Sequence, residues 1–268
     1  MHTLYKEFYK QRVFTIDEAN KIIKNYQVCR NTIHRLIKEG YIKRIKSGLY
    51  NIVPLDEPGF EPNQIHIATK LQGIISHNTA LHLHKIHKKE PTIYILTQSS
   101  KKMRIKDITH KKIKTKQNIG IINLEYQTGY NTITIRITDL ERSILDVVWT
   151  KTIRLEDLIA IIKGYKNTTQ KKLEINSNKL ISYIEKYKKP ILYNKIGLLL
   201  DITKDSIIIQ EEDLEKIRKK LGKKIYYYKD SKVSLIRPRY KYNKQWNIMI
   251  PEQIQKTYYK IPIPDVQV

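Results

Sequence analysis

Residues 28–53, VCRNTIHRLIKEGYIKRIKSGLYNIV, decide the fold of the N-terminal part of this chain. Apolar side chains recur in the first half at the spacing of one helix face, which predicts an α-helix over about 28–39. The residues on this apolar face are Cys29, Ile33, Leu36 and Ile37. Gly40 follows, where helices commonly end in a residue with a left-handed backbone. YIKRI and LYNIV then predict two strands of a hairpin, joined by the turn KSG.

Two further helices are predicted before this stretch. The first covers about 3–10, and the second begins at Thr15, where TIDE is a capping box with Glu18 in its third helical position. Ala19, Ile22 and Ile23 are expected to form the buried stripe of the second helix. Three helices followed by a two-stranded basic hairpin are typical of a winged helix-turn-helix domain.

The third helix has a polar and basic face opposite its apolar residues, and the hairpin adds further cations. Asn and Gln can pair with adenine, Arg can pair with guanine, and Lys can meet a phosphate or a guanine. The candidate DNA-binding residues are Gln27, Arg30, Asn31, His34, Arg35, Lys38, Lys43, Arg44 and Lys46. The alternative interpretation is a solvated basic face on an ordinary three-helix domain.

The composition favours an acidic partner. The 268 residues carry a formal net charge of +25, which favours nucleic acid above other partners. A/T-rich codons, which encode Lys, Ile, Asn and Tyr, explain part of this charge, so charge alone does not choose between DNA, RNA and an acidic protein. The single cysteine excludes an internal disulfide and a cysteine metal site. No apolar leader or membrane-length segment is present, and we expect a soluble, cytoplasmic protein that does not enter a membrane.

Three prolines between residues 54 and 62 suggest a break between two domains. We therefore predict an α+β protein with a winged helix-turn-helix domain at 1–54, a linker at 55–62 and a larger mixed α/β domain at 63–268. The tail after about residue 251 has little periodicity and is expected to be loosely ordered. Helices are predicted in the larger domain at about 64–72, 77–85, 139–149, 154–163, 177–188, 193–200 and 211–220. Strands are predicted at about 92–97, 119–126, 131–137, 224–228 and 232–236.

Two clusters in the larger domain resemble catalytic or metal sites. Five histidines lie between His66 and His87, but no carboxylate or cysteine is spaced as a further metal ligand, so packing or solvent roles are expected. TDLERSILD at 138–146 contains Asp139, Glu141 and Asp146, which are acids of the type that hold a divalent cation. TDLE also reads as a second capping box, and Asp146 follows Arg142 at ion-pair spacing. We predict no catalytic residue, no metal and no cofactor.

Four motifs, in this order, resemble the AbiEi-like antitoxins of type IV toxin–antitoxin systems, an abortive-infection family. FTIDEA with IHRLIKEGYIKRIKSGLY is similar to the family's winged helix, and ISHNTALHLHKI to a segment in which Ser/Thr-Ala-Leu precedes a His. ITDLERSILD is similar to a Glu-Arg motif followed by Asp, and YNKIGLLLD to a Gly-containing helix. The motif residues of the larger domain are Thr79, Ala80, Leu81, His84, Glu141, Arg142, Asp146 and Gly197.

The resemblance implies an antitoxin that binds inverted repeats in its own promoter as double-stranded DNA and represses its own operon. It also implies that the larger domain counteracts a nucleotidyltransferase toxin encoded beside it, without requiring a stable complex with that toxin. The alternative is a stand-alone winged-helix repressor whose larger domain senses a ligand or dimerises. A third hypothesis, a nucleic-acid-modifying enzyme that uses the Asp139, Glu141 and Asp146 cluster, is disfavoured by the structural roles expected for these acids.

Overall fold

The described residues form both helices and strands, arranged in several sheets, which agrees with the predicted α+β class. The computed structural model describes residues 3–57, 59–97, 103–105, 108–114, 118–228 and 239–259. Within these residues, no helix combines the length and the apolar character needed to cross a membrane.

The chain packs as two compact units. Residues 1–79 and 89–138 form the first unit, and residues 80–88 and 139–268 form the second. The stretch 55–62, which we predict to be a linker, therefore lies inside the first unit.

The first unit begins with three helices and a three-stranded antiparallel sheet of strand order β1-β3-β2. The elements are α1 (Thr3–Tyr9), β1 (Val13–Thr15), α2 (Ile16–Ile23), α3 (Tyr26–Lys38), β2 (Ile42–Lys46) and β3 (Leu49–Ile52). The three predicted helices and both hairpin strands are present, and Gly40 ends α3 with a φ of +82°. Strand β1 was not predicted, because three residues show no alternating pattern of their own.

Helix α2 begins where the sequence predicts. The Thr15 hydroxyl accepts from the Glu18 amide at 3.2 Å, and the Glu18 carboxylate accepts from the Thr15 amide at 2.7 Å, which completes the capping box. Ala19 is buried, but the prediction for Ile22 is wrong, since 37% of it is exposed. Ile22 lies in the last turn of α2 and is not part of the core cluster that contains Ala19.

Residues 55–60 pack against the N-terminal residues of the chain. The Tyr9 hydroxyl donates to the Asp56 carboxylate at 2.5 Å, and the buried Arg12 guanidinium donates to Glu57 at 2.7 Å. Arg12 also lies over the rings of Tyr9 and Phe60, at 4.1 and 5.4 Å from their centroids. These contacts explain why a proline-rich stretch is part of a compact unit.

The remainder of the first unit is a mixed six-stranded sheet of order β6-β7-β5-β4-β9-β8, with one helix before it. The elements are α4 (Gln64–Lys70), β4 (Ile74–Ile75), α5 (His77–Leu83), β5 (Thr92–Thr97), β6 (Met103–Ile105), β7 (Ile108–Lys114), β8 (Ile121–Gln127) and β9 (Thr132–Thr138). The division between the two units falls within α5. Ile67 of α4 packs with Val13 and Leu49, which joins this part to the N-terminal sheet.

The second unit is mainly helical. Its elements are α6 (Leu140–Thr150), α7 (Leu155–Thr169), β10 (Leu173–Glu174), α8 (Ser177–Tyr187), α9 (Ile191–Thr203), β11 (Ile207–Ile208), α10 (Glu211–Arg218), β12 (Tyr226–Tyr227), β13 (Tyr240–Asn243), β14 (Ile248–Pro251) and α11 (Glu252–Tyr258). All predicted helices of this region are present. The predicted strand at 232–236 lies outside the described residues.

The expectation of a loose tail after residue 251 is wrong for its first part. Residues 252–258 form α11, and the Tyr259 hydroxyl donates to the Asp201 carboxylate of α9 at 2.8 Å. Ile254 is 1% exposed and fixes the helix to the unit. A single buried side chain in a short polar helix gives too little periodicity to be recognised in the sequence.

Candidate nucleic-acid interface

Two residues connect α2 to α3. Lys24 has a left-handed backbone, with φ of 59°, which turns the chain sharply. Asn25 then caps α3, because its side-chain oxygen accepts from the amide of Val28 at 3.0 Å. The short connection fixes where the face of α3 points relative to α2.

The inner face of α3 is anchored in an apolar core. Cys29, Ile33 and Leu36 are each at most 2% exposed and pack in one cluster with residues of α1 and the sheet. Burial also raises the pKa of the Cys29 thiol, so this cysteine stays in its unreactive protonated form. The predicted apolar face is confirmed for these three residues, while Ile37 lies at the margin of the cluster.

The opposite face of α3 is open to solvent over its whole length. Every helical residue predicted to contact DNA is exposed: Gln27, Arg30, Asn31, His34, Arg35 and Lys38. At 100° per residue, these positions lie on one continuous side of the helix. The Gln27 side-chain amide donates to the Asn31 side-chain oxygen at 3.1 Å, which holds the two side-chain amides in one orientation.

One carboxylate lies beside this face. Glu39 is 3.9 Å from the Arg35 guanidinium, and both side chains are about half exposed (59% for Arg35 and 46% for Glu39). An exposed pair at this distance contributes little to stability, on the order of 0.5 kcal/mol. Arg35 is therefore able to leave Glu39 for a base or phosphate at small cost.

The hairpin presents fewer cations than predicted. Lys43 and Arg44 of β2 are exposed, whereas Lys46 is half-buried and already has an interaction within the protein. The pairing of β2 with β3 shifts between Arg44 and Lys46, so the alternation of the strand is broken there. Lys46 is a weaker candidate for phosphate contact than its spacing in the sequence suggests.

Sequence reasoning missed three exposed apolar side chains near the start of α3. Tyr26 is 51% exposed, Val28 is 49% exposed, and Ile22 of α2 lies in the preceding turn with 37% exposed. At 100° per residue, Tyr26 and Val28 lie at opposite edges of the polar face of α3, where they can add apolar contacts to a ligand on that face. In the major groove, such side chains contact the thymine methyl group. The signal was present in the sequence, but Ile22 was assigned to the core.

The motif of α5 is built into the fold. Thr79 is 6% exposed, Ala80 is 0% exposed and Leu81 is 1% exposed. The Thr79 hydroxyl accepts from the amide of Tyr94 at 2.9 Å, which ties α5 to β5. His84 is half-buried. These residues position elements and offer almost no surface.

The Glu-Arg motif of α6 forms a buried polar network. Arg142 donates through Nε to both carboxylate oxygens of Asp146, at 2.9 and 3.0 Å, and its guanidinium lies 5.0 Å from the centroid of the Tyr187 ring. The Tyr187 hydroxyl donates to Asp146 as well. The Glu141 carboxylate accepts from the backbone amide of Asn176 at 2.9 Å. The predicted ion pair is confirmed, and the network joins α6 to α8.

The predicted capping box at 138–141 is wrong. The cap is Asp139, whose carboxylate accepts from the Arg142 amide at 2.9 Å and from the Tyr183 hydroxyl at 2.8 Å. Thr138 ends β9, and its hydroxyl donates to the Ile75 carbonyl at 3.4 Å. Burial and the hydrogen bond to Asp139 raise the pKa of Tyr183 to about 12. All three acids of this cluster therefore bind internal donors.

Gly197 of α9 lies under a buried tryptophan. A Cβ added at this glycine would lie no more than 2.8 Å from three ring carbons of Trp246. Trp246 is 0% exposed, and its Nε1 donates to Asp201 at 3.0 Å. The motif glycine is thus required by close packing.

The histidine-rich stretch forms no metal site among the described parts of the chain. No group of three His, Cys, Asp or Glu side chains there is arranged to hold a metal ion. His66 is 2% exposed and its Nδ1 is 3.0 Å from the Tyr130 hydroxyl, while burial lowers its pKa to about 4. It is a neutral core residue.

A scan against protein-family models found no match to this chain, and a search of curated proteins found none either.

Proposed function

We propose that this protein is an AbiEi-like antitoxin that also represses its own operon by sequence-specific binding to double-stranded DNA. The observation that carries the DNA-binding half is the open face of α3 above its buried apolar face. Support comes also from the element order α1-β1-α2-α3-β2-β3 with a three-stranded sheet, which is the arrangement of a winged helix-turn-helix domain. In this interpretation α3 enters the major groove, and the β2–β3 hairpin is the wing.

Roles within this surface follow from side-chain chemistry. Asn31, held by Gln27, pairs with adenine, and Arg35 pairs with guanine. Lys38, Lys43 and Arg44 contact phosphates, which fix the orientation of the domain on the duplex. Val28 contacts a thymine methyl group at the start of the helix.

The DNA-binding half is tested by fluorescence anisotropy on the duplex upstream of the gene and on a scrambled duplex. Arg35→Ala should cost about 1–3 kcal/mol on the upstream duplex and reduce the preference over the scrambled one. Lys43→Ala should weaken binding to both duplexes equally and lower the slope of log K against log salt by about one. Lys171→Ala, an exposed lysine of the second unit, is the matched control. Equal affinity of the intact protein for both duplexes would refute promoter recognition.

The antitoxin half draws its support from the ordered motifs of the larger domain. Most of these motif residues are buried, so they preserve the fold, and neutralisation must use other, exposed residues. The family resemblance of the larger domain therefore concerns residues that maintain its fold. The exposed residues that neutralise the toxin have to be found by experiment.

The two halves are separable in the full-length chain. A variant with Arg30→Ala and Arg35→Ala should lose repression of a promoter reporter and still rescue the growth of cells that express the neighbouring nucleotidyltransferase. Loss of rescue together with loss of repression would mean that neutralisation acts only through transcription. No rescue by the unaltered chain would refute the antitoxin half. A stand-alone repressor, the second candidate, would repress the reporter and never rescue growth.

A further inference from the structure

The small sheet of the second unit has one covered face and one open face. Its strand order is β12-β14-β13, with β14 in the centre. Ile248 and Ile250 of β14 are both 0% exposed, and Asn243 of β13, opposite Ile248, is 3% exposed. Because side chains alternate between the faces of a strand, Met249 points to the other side.

Tyrosines line that other face. Tyr227 of β12 and Tyr242 of β13 are the residues paired with Met249, so the three side chains form a row across the sheet. Tyr227 is 48% exposed and Tyr242 is 45% exposed. Tyr240, two residues before Tyr242, meets Tyr227 edge to face with ring centroids 5.3 Å apart. We name this surface the tyrosine face: Tyr227, Tyr240, Tyr242 and Met249.

The surroundings of the tyrosine face are strongly basic. Residues 218–228 and 239–249 contain eight Lys and Arg residues and no Asp or Glu. Five of these cations are exposed: Lys223, Lys224, Arg239, Lys241 and Lys244. Lys241 is paired with Ile250, so its side chain points away from the tyrosine face, and the other four are the candidates for phosphate contact. Among the ion pairs between described residues, none uses any of the five. The nearby Glu252 is paired with Lys256 at 3.1 Å, and the charges of Lys241 and Arg239 help to lower the pKa of its carboxyl.

Exposed aromatic rings on a sheet, surrounded by cations, match the chemistry of one class of ligand. Unpaired bases stack on tyrosine rings, while the sugar-phosphate backbone follows the lysines. A duplex offers no free base faces to these rings, and a purely apolar protein partner would leave the cations without counter-charges. We propose that the tyrosine face binds single-stranded nucleic acid, with bases stacked on Tyr227 and Tyr242 and phosphates held by the lysines around them.

This inference does not rest on the proposed function of α3, which lies in the other unit. The probes are fluorescein-labelled oligouridine and oligothymidine of about ten nucleotides, which is within the usual site size of such surfaces. Anisotropy of the full-length protein should show binding to at least one of them. Binding of both oligonucleotides would mean that the face recognises bases and phosphates of either RNA or DNA. A preference for oligouridine would mean that the ligand is RNA.

Variants locate the site. Tyr227→Ala with Tyr242→Ala should weaken binding about tenfold for each ring removed. Tyr227→Phe with Tyr242→Phe should retain it, because phenylalanine stacks equally well. Tyr165→Ala removes a partly exposed tyrosine of α7, outside both α3 and the tyrosine face, and should have no effect. Ultraviolet cross-linking of the unaltered protein should label peptides that contain Tyr227 or Tyr242.

Four results would overturn the proposal. They are no binding of either oligonucleotide, equal losses in the phenylalanine and alanine variants, equal loss in Tyr165→Ala, and cross-links confined to α3. A change from dimer to monomer in the alanine variant, with no oligonucleotide binding, would show that the tyrosine face joins two copies of the chain instead.

Discussion

Substitution of Gly197 by alanine tests whether the packing of α9 against Trp246 holds the second unit together. Alanine is a better helix former than glycine by about 1 kcal/mol, so an open site would gain stability. Here the new methyl group overlaps three ring carbons of Trp246. The indole has little room to move, since Asp201 accepts from its Nε1 at 3.0 Å and Arg218 lies 5.0 Å from its ring centroid.

The magnitude follows from these opposed effects. Overpacking of a core site costs about 1–3 kcal/mol, and the fixed indole places this site at the upper end. After the helical gain is subtracted, Gly197→Ala should lower the free energy of unfolding by about 2 kcal/mol. In a Trp246→Leu background, where the ring is absent, the same change should raise it by about 1 kcal/mol. The coupling between the two sites is then about 3 kcal/mol.

Gly164 supplies the matched control, because it lies within α7 and an added Cβ there meets no atom within 4 Å. Gly164→Ala should stabilise by about 1 kcal/mol. Urea denaturation followed by circular dichroism measures all the variants, with a constant slope as the condition for comparing them. A stabilising effect of Gly197→Ala in the unaltered background, or the same effect in both backgrounds, would refute the packing argument.

Three further changes test other features. Burial lowers the pKa of His66 to about 4, so the neutral ring stabilises the fold above about pH 6.5, and this contribution is lost as the pH falls towards 4. Between pH 7 and pH 5, the free energy of unfolding should therefore fall by about 2 kcal/mol more in the unaltered protein than in His66→Gln. Lys24→Gly should stabilise by about 1 kcal/mol, because Lys24 has a left-handed backbone, and an unchanged melting temperature would contradict this. Arg142→Met leaves the Asp146 carboxylate buried without its cation and should cost about 3–5 kcal/mol. Adding Asp146→Asn to Arg142→Met should recover part of the loss, and an equal loss in the double variant would show that the charge is not the cause.

Local signals in the sequence were enough to predict most of the helices and the candidate DNA-reading face. The face of α3 could be found because helical periodicity separates Cys29, Ile33 and Leu36 from the polar residues between them. The capping box at Thr15 and the glycine at the end of α3 are likewise local, since each depends on residues within one turn. Spacing alone also predicted the Arg142–Asp146 pair.

The structure departs from the local sequence pattern where a distant residue decides the outcome. The cap of α6 is Asp139 because Thr138 is already committed to β9 and to the Ile75 carbonyl. Lys46 turns partly inward because the pairing of β2 with β3 shifts next to it. The stretch 55–60 packs against α1 because Arg12 and Tyr9 find partners there.

By itself, the sequence determined the helical faces, the caps and the basic character of this protein, because those properties depend on residues a few positions apart. Tertiary structure decided which of these residues remain at the surface. It buried the motif residues of α6 and α9 in contacts that span 35 to 52 positions along the chain, and it brought Tyr227 and Tyr242 to one side of a single sheet. Hydrophobic periodicity in the sequence does not reveal such pairings, because they join strands and helices that are distant in the sequence and meet only in the folded chain.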